Sequence, residues 1–202
     1  GCGDGIYINT AGVGELIEGV DIAPTNIKAG MDIIVSGTLG DHAATVMAAR
    51  HNLTLPPEIM SDSAPLCHLT AAMLTEAPSI AVLRDPTRGG VAASLNELAD
   101  AAGVGILLDE AAIPVHPAVQ GVCDILGFDP LTLANEGKLL AFVPPEDTER
   151  VLAVMHADPH GRAACVIGHT TAEAPGSVGL RTALGGIRVV DLPLGELVPR
   201  IC

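Results

Sequence analysis

Aromatic residues are almost absent from this chain of 202 residues, which contains one Tyr, two Phe and no Trp. Without aromatic side chains, the protein has little on which nucleic-acid bases could stack. Hydrophobic residues still make up 49% of the sequence, so a sizeable core is possible. That core has to be built from Ala, Val, Leu and Ile, which favours helices packed closely on a sheet.

Basic residues are also scarce, and Lys28 and Lys138 are the only lysines. The formal net charge is −14 at pH 7. A surface this acidic repels phosphate backbones and anionic lipid headgroups. We therefore expect neither a nucleic acid nor a membrane as a partner, although a nucleotide could bind locally through backbone amides and a few arginines.

The five cysteines are widely spaced, and no C-x-x-C pair is present. This spacing argues against a zinc site and against a disulfide framework in a chain of this length. We predict no metal site in this chain, and we predict that Cys67, Cys123 and Cys165 are small core hydrophobes. We find no signal peptide and no apolar run long enough to span a bilayer, and therefore expect a cytoplasmic protein.

Helical and strand-like patterns alternate along the chain, which predicts an α+β domain with mixed α/β layers. The predicted helices are 43–51, 66–76, 91–102, 117–126 and 145–156, the second preceded by an N-cap region at 61–65. The predicted strands are 32–36, 80–83, 105–108, 139–143 and 163–169, followed by a pair, 179–184 and 187–191. An early strand at 6–10 either belongs to an upstream sheet or pairs later as an edge strand.

A glycine-rich loop at 84–90 connects a predicted strand to a predicted helix. Its glycines would let the backbone approach a ligand, and the amides that open the helix could bind an anion. Arg88 would add a charged fork for phosphate or carboxylate. The alternative is a tight turn in which Asp85 caps the helix. The loop lacks the spacing of a Walker phosphate-binding loop.

Four further residues are candidates for chemistry. Asp41 is a good helix N-cap, and His42 beside it is either a general base or simply exposed. Glu136 enters an apolar strand, where partial desolvation would suit a general base; the alternative is a solvated turn. Cys202 ends the sequence, so its thiol could swing between sites with a covalent cargo, or it could merely end a frayed tail.

Six segments come in a characteristic order and rough spacing. They are 36–42 (S-G-T-L-G-D-H), 61–66 (S-D-S-A-P-L), 84–90 (R-D-P-T-R-G-G), 95–97 (L-N-E), 134–138 (A-N-E-G-K) and 199–202 (P-R-I-C). With this set the chain resembles the HypE family of hydrogenase maturation proteins over nearly its whole length. The D-P-T-R-G-G loop is shared with related ATP-using enzymes, whereas the P-R-I-C ending is specific. The resemblance implies a PurM-like C-terminal domain, a mixed sheet covered by helices.

The resemblance also implies a reaction. Cys202 would accept a carbamoyl group from a carbamoyltransferase partner, HypF, and ATP with Mg²⁺ would drive its dehydration to a thiocyanate. The cyanide would reach the iron of a nickel–iron hydrogenase through the HypC–HypD scaffold complex. Glu136 would remove the nitrogen protons. The residues expected to line the phosphate end or to receive the tail are Asp85, Thr87, Arg88, Gly89, Gly90 and Asn135, with Asp41 and His42 as wall residues.

The resemblance implies an upstream ATP-binding domain that this sequence lacks. That domain would supply most of the ATP and Mg²⁺ site and the main contact of a homodimer. We expect residues 1–14 to be its remnant last strand, residues 15–190 to be the PurM-like C-terminal domain, and residues 191–202 to be a flexible tail that carries Cys202. Alone, the chain is expected to bind ATP poorly and to be inactive.

Other functions remain open from the sequence. Selenophosphate synthetase, aminoimidazole ribonucleotide synthetase and thiamine monophosphate kinase share the expected fold, but none is expected to end in a working cysteine. The chain could instead be a non-catalytic docking fragment whose tail only binds the scaffold. In a third alternative, Cys202 forms an intermolecular disulfide.

Overall fold

The computed structural model describes Asn9 and residues 11–192. These residues form a seven-stranded sheet with the order β2-β4-β1-β5-β3-β6-β7. All neighbouring strands are antiparallel except β3 and β6, which are parallel. The strands are β1 (Asp32–Val35), β2 (Val82–Arg84), β3 (Gly105–Asp109), β4 (Leu140–Val143), β5 (Cys165–Thr171), β6 (Val178–Arg181) and β7 (Ile187–Val189).

Five α-helices accompany the sheet in the described part of the chain: α1 (Asp41–Arg50), α2 (Cys67–Glu76), α3 (Gly90–Ala102), α4 (Pro117–Leu126) and α5 (Pro145–Ala157). Helix α4 shows how sequence sets these boundaries. Pro117 suits the first helical position, where no backbone N–H is needed. His116 accepts a hydrogen bond from the next turn, and Gly127 ends the helix in a left-handed conformation (φ 74°).

Helices cover both faces of the sheet. Alternate residues of β1 point to opposite faces, so Ile33 and Val35 pack in one cluster with α3, and Ile34 packs in another with α2 and α5. Helices α1 and α4 pack on each other in a third, smaller cluster. The resulting layers confirm the predicted α+β class and the mixed sheet covered by helices.

One end of the sheet gathers loops that are distant in sequence. Val35 is paired with Leu140 on one side and with Cys165 on the other, and Arg84 is also paired with Leu140. Strands β1 and β2 therefore end where β4 and β5 begin. The loops 37–40, 85–89, 135–139 and 159–164 meet at this end.

Most predicted elements are confirmed to within two residues. The closing strand pair is confirmed as a hairpin, although its first strand ends at Arg181, three residues before the predicted end. The predictions for the segment 61–65 and for Cys67 are wrong. The segment 61–65 does not cap α2, because the N-cap position is Leu66 and no side chain bonds the first amides. Cys67 is exposed rather than part of the core, whereas Cys123 is buried and Cys165 is partly buried.

The ends of the predicted domain map are not tested by the fold. Most of the predicted strand at 6–10 lies outside the described residues, and residues 11–14 are exposed and belong to no regular element. Residues 193–202, with Cys202, also lie outside the described part. Within that part, no helix has both the length and the apolar character needed to cross a membrane.

Candidate functional site

Asn135 ties together three of the loops at the end of the sheet. Its side chain is fully buried. Its Oδ1 accepts a hydrogen bond from the Gly40 amide at 2.8 Å, and its Nδ2 donates to the carbonyls of Pro86 at 3.1 Å and Leu133 at 3.0 Å. The Asn135 amide also donates to Pro86 at 3.1 Å. We predicted that Asn135 lines the phosphate end; the structure places its amide among main-chain groups.

The backbone on both sides of Glu136 is fixed by a single residue, Asp62. The Glu136 amide donates to Asp62 Oδ1 at 3.0 Å. A Cβ atom on the next residue, Gly137, would overlap the Asp62 carbonyl oxygen, so only glycine allows this approach. The Glu136 side chain is half-buried. It forms no hydrogen bond or ion pair with any described residue.

A buried charge cluster lies beside Glu136. The Lys138 ammonium is 3.5 Å from Asp62 Oδ2 and 3.8 Å from Asp41 Oδ2, and the three side chains are between 3% and 14% exposed. Thr38 donates its hydroxyl proton to Asp41. Asp62 Oδ2 and Asp41 Oδ1 are buried and accept no hydrogen bond. Two carboxylates thus share one ammonium group, without the short contacts that satisfy such groups fully.

The predicted wall residues Asp41 and His42 open helix α1 at this cluster. Asp41 is not the N-cap, because Gly40 occupies that position in a left-handed conformation (φ 82°). As the first helical residue, Asp41 still places its negative charge favourably at the helix N-terminus. His42 is buried, and its Nδ1 is 2.8 Å from Ser61 Oγ, which in turn is 3.0 Å from Ser63 Oγ.

The glycine-rich loop lies on the opposite side of Asn135. Asp85 and Arg88 are exposed, and Thr87 is partly buried. Asp85 does not cap α3, because Gly89 holds the N-cap position with no side-chain hydrogen bond. Gly90 has φ of +62°, and a Cβ there would come within 2.5 Å of two carbonyl oxygens of the segment 131–133. The loop and that segment therefore fit together only through glycine.

A cavity of about 350 Å³ opens beside the charge cluster. Its lining includes Asp62 and Lys138 together with the exposed residues His160 and Arg162. This size suits a small polar group rather than a whole nucleotide with its ribose and phosphates. Among the described residues, no group of three or more His, Cys, Asp or Glu side chains could hold a metal ion.

Two thiols that are not part of the charge cluster have perturbed acidity. Burial raises the pKa of the Cys123 thiol from 9.0 to about 11, and nearby carboxylates add to the shift. Burial also raises the pKa of the Cys165 thiol. Both side chains are therefore protonated near neutral pH, and neither is a ready nucleophile.

The structure brings Asp41, His42, Asn135 and Glu136 to one end of the sheet, and Asn135 joins them to the loop 84–90. Cys202 lies outside the described residues. Asp62 and Lys138 were not predicted as site residues. A signal was available, because a lysine is rare in this chain and Lys138 follows the candidate base by two positions.

Known proteins are similar to this chain in sequence and in fold. The family described as AIR synthase related protein, C-terminal domain, matches residues 28–181. The carbamoyl dehydratase HypE of Rhodobacter capsulatus is 49% identical over 202 residues, which are 100% of this chain and 59% of that protein. The chain thus spans about three fifths of the length of this relative.

Solved structures show the same fold. A crystal structure of hydrogenase maturation protein HypE aligns with a TM-score of 0.86 at 41% identity, covering 90% of this chain and 58% of that one. A HypE–HypF complex aligns with a TM-score of 0.83 at 40% identity, covering 88% and 58%. A HypE structure in complex with ATP aligns with a TM-score of 0.83 at 41% identity, covering 90% and 55%.

Proposed function

This chain belongs to the HypE family of hydrogenase maturation proteins, and on that premise we propose that it serves in a carbamoyl dehydratase reaction. Cys202 accepts a carbamoyl group, which is dehydrated to a thiocyanate. The product is the source of a cyanide ligand for the iron of a nickel–iron hydrogenase. Because the chain spans 59% of its Rhodobacter capsulatus relative, we assign dehydration to a longer protein that includes the remaining part.

The position of Glu136 carries this proposal. Its backbone contacts Asp62 on both sides, and the side chain of the preceding Asn135 is hydrogen-bonded to the loops at Gly40 and Pro86 and to the Leu133 carbonyl. Its carboxylate nevertheless has no partner among the described residues. A general base needs a carboxylate that is free of other hydrogen bonds and is held in a fixed position, because proton transfer depends on the distance and angle to the proton donor.

The chemistry follows from the cargo. The carbamoyl nitrogen has to lose two protons while the carbon–oxygen bond breaks and the carbon–nitrogen triple bond forms. ATP, when bound, supplies the phosphoryl group that lets the oxygen leave as phosphate. The Glu136 carboxylate accepts a nitrogen proton at each stage, and its half-exposed side chain can pass the first proton to solvent before the second arrives.

We assign the phosphate end of the site to the loop 84–90. Arg88 is exposed and can turn toward a phosphate. The Gly90 amide donates to the Thr87 carbonyl at 3.0 Å, so a phosphate at the start of helix α3 would be bound by the amides that follow Gly90. Asp85 and Thr87 lie on the same loop, and we propose that they also line the phosphate end. The described residues offer no metal cluster, so we derive no step through Mg²⁺ and expect its ligands in the part of the protein beyond this chain.

The similarity to HypE structures also supports the proposed partners. The fold matches a HypE–HypF complex, which supports HypF as the carbamoyltransferase that loads Cys202. Delivery to a HypC–HypD scaffold, a homodimer in the longer protein and a cytoplasmic location remain parts of the proposal.

The test is the intact mass of this chain after incubation with HypF, carbamoyl phosphate and ATP. We expect a gain of one carbamoyl group that Cys202→Ala abolishes. In the longer protein we expect a subsequent loss of water that Glu136→Gln abolishes without affecting the carbamoyl gain. Dehydration by the Glu136→Gln protein would refute the assigned base, and the absence of any gain in the longer protein would refute the acceptor role. A gain without loss of water in this chain alone would match its expected inactivity.

A further inference from the structure

Asp62 is a buried residue whose contacts converge on Glu136. Its side chain is 3% exposed. One oxygen accepts the Glu136 amide proton, and its own carbonyl packs against Gly137. Asp62 belongs to a segment, 61–64, with no regular secondary structure. No helix or strand ladder therefore orients this carboxylate, and its position depends on these side-chain contacts.

We propose that Asp62 is a positioning residue for Glu136 and acts through the place of its Oδ1 atom rather than through its charge. The proposal rests on the proposed function of Glu136 as the base. Because the Glu136 side chain touches no polar partner, its direction is set by its own backbone. Asp62 holds the amide before the Glu136 Cα, and its carbonyl restricts the peptide after it.

The charge of Asp62 has a separate partner. Lys138 lies 3.5 Å from Asp62 Oδ2, whereas the Glu136 amide donates to the other oxygen, Oδ1. Lys138 also pairs with Asp41 at 3.8 Å. If Asp62 loses its charge, Lys138 keeps one carboxylate, so the ammonium group is not left alone. Oδ1 of Asp62 thus accepts the hydrogen bond and Oδ2 contacts the ammonium group, so substitutions can test the hydrogen bond and the charge separately.

Two substitutions form the matched pair. Asp62→Asn keeps an oxygen at the Oδ1 position and removes the charge, whereas Asp62→Glu keeps the charge and moves the oxygen by one methylene. In the longer protein, already carbamoylated on Cys202, we expect the dehydration rate of the Asp62→Asn variant to stay within about threefold of the rate of the protein with Asp62. We expect Asp62→Glu to be slower by about 10- to 100-fold, because a displacement near 1 Å is enough to lose such a factor.

Loading of Cys202 by HypF serves as the internal control. Both variants should gain the carbamoyl group at the normal rate, and the pH profile of dehydration should be unchanged in Asp62→Asn. Equal losses in both variants, or a loss confined to Asp62→Asn with a shifted pH profile, would show that the charge matters and would overturn the proposal. Normal dehydration by Asp62→Glu would overturn it as well.

A second readout does not depend on activity. Hydrogen exchange of the Glu136 amide should remain slow in this chain with Asp62→Asn and become about tenfold faster with Asp62→Glu, as expected for loss of one hydrogen bond. Unchanged exchange in both variants would refute the positioning contact. If instead Glu136→Gln still dehydrates while exchange behaves as expected, the assigned base fails and the positioning contact stands.

Discussion

Replacing Asn135 with alanine should lower the free energy of unfolding by about 3–4 kcal/mol. The substitution removes three side-chain hydrogen bonds, to the Gly40 amide and the carbonyls of Pro86 and Leu133. Pro86 keeps the bond from the Asn135 backbone amide. The Gly40 N–H and the Leu133 carbonyl are left buried without a partner, at about 1–3 kcal/mol each, and the Pro86 bond adds about 1 kcal/mol. The sum is about 3–7 kcal/mol, and because water can enter the vacated space, we expect a value at the low end of this range.

The assay is urea unfolding of this chain, with the slope compared between variants to confirm that the same surface is exposed. The midpoint of thermal unfolding should fall by about 6 to 15 °C for a domain of this size. Asn26→Ala is the control, because Asn26 makes one solvent-exposed bond to the Asp21 carbonyl and should change stability by less than about 1 kcal/mol. A loss below about 1 kcal/mol for Asn135→Ala would refute the view that this amide fastens the loops.

Two further predictions concern other parts of the fold. Gly90→Ala should lower the free energy of unfolding by more than about 3 kcal/mol, because a Cβ there would clash with the segment 131–133. Gly103→Ala is the control: its φ of +65° is similar, but the space around it is open, so it should lower the free energy of unfolding by only about 1 kcal/mol. Urea unfolding measures both, and equal losses would show that the clash with 131–133 is relieved. The raised pKa of Cys123, about 11 against 9.0, means that the folded state favours the protonated thiol. The contribution of the protonated Cys123 thiol to the stability of the folded state is complete below pH 9 and is lost, by about 2–3 kcal/mol, as the pH rises through 11. At pH 8 a thiol reagent should therefore modify the exposed Cys67 and spare Cys123. Modification of both cysteines at equal rates would contradict the burial of Cys123.

The elements that sequence predicted best carry their own boundary signals. Helix α4 was predicted with its observed ends because Pro117 and Gly127 mark them locally. The strand at 80–83 was displaced to β2 (Val82–Arg84) because Ile80 closes a turn with Ala77. A continuous apolar run shows that a segment is buried, but it does not show where the strand ladder begins.

The site was only partly predictable for a similar reason. Local motifs placed Asp41, His42, Asn135 and Glu136 among the candidates, and the sheet topology gathers them. Asp62 was overlooked because its segment looks like a helix N-cap, although its hydrogen bond goes to Glu136, 74 positions away. A local pattern carries no information about a partner at that distance. The N-cap of helix α1 could not be predicted from residue type either, because the backbone conformation places Gly40, and not Asp41, at the N-cap position.

The position of β1 in the sheet has a consequence for how the protein is made. Asp32 pairs with Val143 on one side and with His169 on the other, so β1 is synthesised long before either neighbour. At about 5–20 residues per second, roughly 7–27 s of translation separate β1 from the end of its pairing with β5. Until β4 is synthesised, the apolar run Ile33-Ile34-Val35 has no native strand beside it and invites pairing with other chains. A chain released before β5 would keep one edge of β1 unpaired and would be prone to aggregate.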